Sequence, residues 1–186
     1  FTNNDSGYET AIEFKKNGVE PIILDTRKEP NSEIIEEAKN LGIQIKFSYV
    51  VVAAKGYKKV NAAEIAKISD NKNDLGVLEN INCDCICVSG FWTPTIHLAS
   101  QSGNKTKFDK DIDAFVPGIS KQNETTLGAA KGTFTLAETL KDSFNAGYEL
   151  SKKITKNDNK ISHPTVVEKN KTTHDKFWCV PLPKGK

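Results

Sequence analysis

The sequence predicts an α/β fold of the dinucleotide-binding kind, and three observations carry that prediction. A helical stretch, Tyr8 to Lys16, is followed by Gly18 and a short apolar run, Pro21-Ile22-Ile23-Leu24, that stops at an acid, Asp25. A second helix-then-strand pair follows directly, so helices and strands alternate as in βαβ units. The order of loop, helix, strand and acid is that of a nucleotide-binding βαβ unit after its first strand. The loop itself is different. It reads Thr2-Asn3-Asn4-Asp5-Ser6-Gly7, where glycines would let the backbone approach a pyrophosphate at a helix N-terminus. Asp5 stands where that phosphate should lie, and two anions do not share such a site. The fold signal survives and the nucleotide signal at this loop does not. Asp25, which in a working site accepts ribose hydroxyls, is therefore expected to be structural, and Asp5-Ser6 reads as a helix N-cap.

The elements follow in order. A helix over about 6 to 17 and a strand over about 20 to 25 are followed by a second helix over about 32 to 41. Pro30-Asn31-Ser32 and the acids Glu33, Glu36 and Glu37 suit its N-terminus, Ile34, Ile35, Ala38 and Leu41 keep helical spacing, and Gly42 closes it. One strand is expected from about 43 to 54, a turn at Lys55-Gly56, and a hairpin partner from Tyr57 to Lys67. After a turn at Asn71 to Asp74 the next strand is expected at Cys83 to Val88. Past Ser89-Gly90 the character changes: Phe91-Trp92-Thr93-Pro94 breaks the chain direction, and a short helix or turn carries His97, Leu98 and Ser100. Short strands are expected near Lys105 to Asp109 and Asp113 to Val116. The longest helical pattern runs from Gly128 to Ile154, with Gly147 as its interruption. Together this is the layout of a nicotinamide-type domain of the flavoprotein disulfide reductases: a Rossmann-like, FAD/NAD(P)-binding unit plus the returning part of a second such domain.

Hydrophobic residues make up 37% of the chain and charged residues 27%, which suits a globular protein and excludes a disordered one. No apolar run approaches the roughly 20 residues that span a bilayer. The net charge of +2 gives no basic stripe and no reason to expect nucleic acid. Arg27 is the only arginine, hence the only side chain able to form a bidentate fork to phosphate or carboxylate. The chain contains no Met and opens on Phe1, so it is expected to be an internal segment whose first strand lies upstream. Cys83, Cys85 and Cys87 alternate and would share one face of a strand as small buried hydrophobes. Extended spacing does not suit zinc, and it holds i and i+2 too far apart for a disulfide. Reduced cysteines and a cytoplasmic location are the resulting expectation.

Three blocks carry a specific resemblance: Thr2-Asn3-Asn4-Asp5-Ser6-Gly7-Tyr8, then Cys87-Val88-Ser89-Gly90-Phe91-Trp92-Thr93-Pro94-Thr95-Ile96-His97-Leu98, then Ser100-Gln101-Ser102-Gly103. With Ala114 to Gly118 and Gly128 to Gly132 they resemble the middle third of the α subunit of heterotetrameric sarcosine oxidase. Phe91, Thr93 and Asn104 depart from the family pattern. The resemblance implies an oxidoreductase acting on CH-NH donors, which converts sarcosine and oxygen to glycine and hydrogen peroxide. With tetrahydrofolate it forms methylenetetrahydrofolate. It also implies FAD and FMN held mainly by the β subunit, NAD held by this subunit, partner β, γ and δ subunits, a small-molecule amine substrate, and neither nucleic acid nor membrane as partner.

On that basis residues 1–90 are expected to be a nucleotide-domain remnant lacking its first strand. Residues 91–155 would be the returning part of the NAD-holding domain, and 156–186 a linker toward a folate-binding domain outside this sequence. Gly118, Gly128, Ala129, Phe134, Thr135 and Leu136 are the residues expected to line NAD, the alternative being that Gly128 and Gly132 are only helix-start and packing glycines. No catalytic residue and no metal ligand is expected here. His97 reads as structural, and His163 and His174 lie in a polar tail. Two other readings stay open: a subunit of a related opine or amine oxidase or dehydrogenase, and a non-catalytic interaction module that has lost its nucleotide. A cysteine-based metal module is a more distant fourth.

Overall fold

Strand β1 (Ile22–Asp25) is apolar on both sides and ends in an acid, and the first folded unit is assembled around it. A computed structural model describes residues 1–90, 92–155, 162, 165–166, 174–177 and 179–183. It divides the chain into Phe1–Phe91 with Thr172–Lys186, and Trp92–Lys171. In the first unit, helices α1 (Ser6–Lys16) and α2 (Glu33–Asn40) cover one face of β1. Ile23 faces them and joins Tyr8, Ala11, Ile12, Ile35, Ala38 and Ile43 in one core. Leu24 points the other way, as strand alternation requires, into a second core with Ala63 and Ile65.

β1 pairs in parallel with β2 (Gln44–Phe47) on one side and with Thr2 on the other, and Thr2 pairs in parallel with Ser89. The bonds are Thr2 N–H to the Leu24 carbonyl at 2.9 Å, Thr26 N–H to the Thr2 carbonyl at 3.1 Å and Ser89 N–H to the Phe1 carbonyl at 2.9 Å. Counted along the chain, the spatial order of these parallel segments is third, second, first, fourth, the order of a Rossmann half.

The strand expected over 43–54 is two strands. β2 ends at Phe47, and β3 (Tyr49–Gly56) begins a separate antiparallel meander with β4 (Val60–Ile68) and β5 (Leu75–Asn82). The break is Ser48, whose φ of 57° is left-handed. Its N–H donates to the Arg27 carbonyl at 3.0 Å, and its carbonyl accepts from Ile68 N–H at 2.7 Å. One residue thus hands the chain from the parallel layer to the meander with both backbone groups satisfied.

The strand expected at Cys83 to Val88 is absent. The ladder with β4 stops at Asn82, and the chain runs irregularly until it meets Thr2 at Ser89. The segment leaves one sheet to reach another, and a straight strand cannot belong to both. Cys83 is half-buried beside the second core, while Cys85 and Cys87 are exposed, so the three do not share a buried face.

In the second unit, α3 (His97–Gln101) precedes a hairpin of β6 (Thr106–Asp109) and β7 (Ala114–Pro117), where Phe108 and Phe115 meet edge to face at 5.3 Å. A short 3-10 turn (Gly128–Ala130) and helix α4 (Leu136–Thr155) complete it. The long helical pattern is therefore interrupted at residues 131–135, not at Gly147, which lies within the unbroken 20-residue α4. Phe91, the 156–161 stretch, His163 and Trp178 lie outside the described residues.

Because Ser48 has a left-handed backbone, Ser48→Val should destabilise the first unit by about 1–2 kcal/mol, since a β-branched side chain strains that conformation. Ser48→Gly should be near neutral. Urea unfolding of the two variants checks this, and equal stabilities would show that the turn is not what the left-handed residue supports.

Candidate functional site

The loop that replaces the glycine-rich turn is filled by its own side chains. Thr2, Asn3 and Asn4 are all buried. Asn4 Oδ1 accepts from Ser6 N–H at 2.9 Å and from the Ser6 hydroxyl at 2.7 Å, while its Nδ2 donates to Asn3 Oδ1 at 2.8 Å and the Ser89 carbonyl at 3.2 Å. The Thr2 hydroxyl donates to the Asn4 carbonyl at 2.8 Å. The start of α1 is thus capped by Asn4 from one residue upstream. The expected cap, Asp5, makes no side-chain bond to its helix, because its carboxylate is engaged elsewhere.

That engagement is with Arg27. One guanidinium nitrogen, Nη1, lies 2.7 Å from Asp5 Oδ1, and Nη2 lies 2.8 Å from Asp25 Oδ2. Nε donates to both Asp25 oxygens at 3.1 Å, and the Arg27 backbone N–H donates to Asp25 Oδ1 at 2.9 Å. The remaining partner of Asp25 is the Tyr8 hydroxyl, at 2.7 Å. Asp25 is fully buried. Burial opposes the Arg27 charge, but the hydrogen bonds and charges of Asp25 and Asp5 outweigh it and hold the guanidinium above its ordinary pKa. Burial, then the Asp25 carboxylate, push the Tyr8 phenol far above its usual value. Asp25 is structural, as the loop sequence implied. A strand-end acid fully committed to an arginine and a tyrosine has no lone pair left to meet a ribose. The sequence marked Arg27 as the chain's only guanidinium, but not that its fork closes on the acid two residues before it.

The tail of the chain adds a strap to the same loop. Asp175 N–H donates to the Asn3 carbonyl at 2.8 Å, and Asn3 Nδ2 donates to the Asp175 carbonyl at 2.9 Å. The Asp175 carboxylate accepts from the Thr26 hydroxyl at 3.1 Å and pairs with Lys72. Sequence reading treated this tail as polar linker, and nothing in its composition singles out Asp175.

In the second unit, the residues expected to line NAD have separate roles. Gly118 donates its N–H to the Lys105 carbonyl at 3.0 Å, and a Cβ there would meet that oxygen at 2.2 Å. Gly128 is buried with φ 60°, and Gly132 has φ 100° against Ile112, Val116 and Pro94. Both glycines are required by the turn itself. The N–H groups of Lys131 and Thr133 return to the Gly128 carbonyl, and that of Gly132 to Ala129. Thr135 caps α4: its hydroxyl accepts from Glu138 N–H at 3.3 Å and donates to the Glu138 carboxylate at 2.9 Å. Ala129 and Leu136 are exposed and Phe134 is half-buried. The apolar surface open to a ligand is therefore Ala129 with Phe134 and Leu136, while Gly128 shapes the turn, Thr135 caps α4 and Gly118 extends the β6–β7 pairing. His97 is exposed at the start of α3.

Asn104 is a site residue that the sequence showed only as a departure from a pattern. It is buried, accepts from Lys121 N–H at 2.7 Å and donates to Glu124, which also accepts from Ser102. Asn104 thereby organises the 118–124 loop. Among the described residues, no group of three or more His, Cys, Asp or Glu is placed to hold a metal ion. None of the described helices is long and apolar enough to cross a membrane.

Parallel strands in Rossmann order, with helices over one face and a hydrogen-bonded loop before α1, define a Rossmann-like fold of the flavoprotein reductase type. Bacillithiol disulfide reductase Bdr from Staphylococcus aureus has this fold, with a TM-score of 0.50 and 13% identity over 71% of this chain and 45% of that one. More particularly, the chain is related to sarcosine oxidase α subunits. It is 29% identical over 141 residues to that of Corynebacterium sp. (strain P-1) and 32% over 135 residues to that of Rhizobium meliloti (strain 1021). These matches cover 75% and 72% of this chain but only 14% and 12% of the relatives, so it corresponds to a small segment of such a subunit. No family model matches the chain.

Removing Arg27 leaves Asp25 as a buried, uncompensated charge. Arg27→Met should cost about 3–5 kcal/mol in chemical denaturation, and Arg27→Lys should not restore stability, because a point charge cannot reach both acids. A loss under 1 kcal/mol would show that the network is solvated. The raised Tyr8 pKa gives a second test, with a definite sign. A group raised on folding contributes fully below its unfolded value, near pH 10, and that contribution is lost as pH climbs toward the folded value. Stability should therefore fall above pH ~10, less steeply in Tyr8→Phe, which at neutral pH should cost about 1.5–3 kcal/mol. Parallel pH profiles of the two proteins would rule out the buried phenol as the cause.

Proposed function

We propose that this chain is part of the α subunit of a sarcosine-oxidase-type complex, in which it scaffolds the subunit and holds NAD without supplying a catalytic group. The single observation that carries the reading is the 32% identity to a sarcosine oxidase α subunit across 135 residues. On this reading, the residues that touch NAD are Ala129, Phe134 and Leu136, set beside the start of α4 by the turn at Gly128 and the cap at Thr135. Their part is to bind and exclude water. NAD brings hydride-accepting chemistry wherever it is bound, and nothing in these side chains moves a proton for it. The whole enzyme would oxidise an N-methyl amine with oxygen, with FAD, FMN, tetrahydrofolate and the β, γ and δ subunits in their proposed places outside this segment.

The first unit favours a second reading for its own residues. With Asp5, Arg27, Asp25 and Asp175 closing the loop on itself, residues 1–90 act as an interaction or framework module that has given up its nucleotide. A subunit of an opine or other amine oxidase would share both arrangements and differ in substrate.

The test is the NAD content of the intact complex, released by acid and quantified. Phe134→Ala with Leu136→Glu should lower it at least tenfold while leaving assembly and flavin content unchanged, and Arg27→Met should leave the NAD per folded subunit unchanged. Full NAD in the Phe134/Leu136 variant would remove this surface from the cofactor site. Sarcosine-dependent oxygen uptake by the complex distinguishes sarcosine from other amines.

A further inference from the structure

Cys85 and Cys87 belong to neither site, and the irregular course of residues 83–88 brings them together. Cys83 is fixed: its N–H donates to the Asn61 carbonyl at 3.2 Å, and its side chain lies against the core of Leu24, Ala63 and Ile65. Ser89 is fixed on Phe1 at the other end. Cys87 lies beside that second anchor, its carbonyl accepting from the Phe1 amine at 2.9 Å, and both thiols are exposed, with their sulfurs 3.9 Å apart. In a flat strand, side chains at i and i+2 stand parallel and the sulfurs do not meet. Here the gap exceeds a disulfide bond, about 2.0 Å, by only about 1.9 Å.

We propose that Cys85 and Cys87 form an intramolecular redox dithiol that closes by exchange with the disulfide of a low-molecular-weight thiol. In the first step one cysteine thiolate attacks a sulfur of the small disulfide, forming a mixed disulfide and expelling one small thiolate. In the second step the neighbouring thiolate attacks the protein sulfur of that mixed disulfide and expels the other. The protein pair loses two electrons and two protons, and the small disulfide is reduced to two thiols. Cys85 is the attacking residue. Cys87 acts second: although it is exposed, partial desolvation and then the bond to Cys85 raise its thiol. Cys83, in the core, takes no part.

The experiment uses the full-length subunit in its native complex, treated with glutathione disulfide, quenched with an alkylating agent and mapped by mass spectrometry. The expected product is a peptide lighter by two hydrogens, with Cys85 and Cys87 both unalkylated, Cys83 alkylated, and the whole change reversed by a dithiol reductant. Cys87→Ser should stop at a stable glutathione adduct on Cys85, and Cys85→Ser should react at least tenfold more slowly. A stable adduct in the unmutated protein, a link to Cys83, or full alkylation of both thiols would each overturn the proposal. Both variants sit on the surface, and an unchanged melting temperature confirms that folding is not what the experiment reads.

Discussion

A single guanidinium holds the top of the first unit together. Arg27 lies between two carboxylates, Asp5 at the start of α1 and Asp25 at the end of β1, and each would be repelled by the other without it. Asp25 is fully buried, and a carboxylate in that position is tolerated only if its lone pairs are taken up. Arg27 and Tyr8 do so, one with a planar fork and the other with a hydroxyl. The same two contacts tie α1 to the strand it covers and fix where the loop between them runs. Asn4, Ser6 and Ser89 can then make their own hydrogen bonds in a loop of settled shape. Where a nucleotide domain keeps an anion from solution at this position, this one keeps an anion of its own and the cation to match.

The arrangement also explains how β1 serves two layers. Ile23 belongs to the helical core and Leu24 to the meander core, with Asp25 returning to the helical side beside Tyr8. Strand β1 is therefore apolar on both faces until it reaches its charged end, as strands of parallel sheets are. The second unit is built differently. Its buried residues are few and small, Ala99, Ala114 and Val116 among them, and α4 has none, so local turns, caps and the Asn104–Glu124 bond carry more of its order.

Much of this was legible in the residues. The 3.6-residue spacing of Ile34, Ile35, Ala38 and Leu41 specified α2, and an apolar run ending in an acid specified β1. The identity of the loop showed that polar side chains, not glycines, stand at the start of α1. What was hidden depended on contacts remote in sequence. Ser48 carries no turn signature, and its left-handed backbone is imposed by bonds to Arg27 and Ile68. The alternating cysteines have a strand pattern, but the chain must change sheets where they lie, and topology overrides periodicity there. β5, rich in Asn, Glu and Gly, presents little apolar alternation and is held by its ladder to β4. Gly147 is tolerated because it faces open space on an exposed helix, whereas Gly132 sits where only a glycine turn fits. In the candidate cofactor surface, sequence could point to a neighbourhood but not distinguish residues that shape a turn from those that face outward.

The strap formed by Asp175 also bears on the order in which the protein can be made. The bond from Thr26 joins residues 149 positions apart, and the whole second unit, Trp92–Lys171, lies between them. A growing chain therefore has α1, β1 and the meander available long before the residue that clasps Asn3, Thr26 and Lys72 leaves the ribosome. The entropic cost of closing so long a loop rises only logarithmically with its length, and it falls once the intervening unit has folded and shortened the effective path. The second unit is thus inserted between two parts of the first. Closing the first unit waits on a segment made after the second.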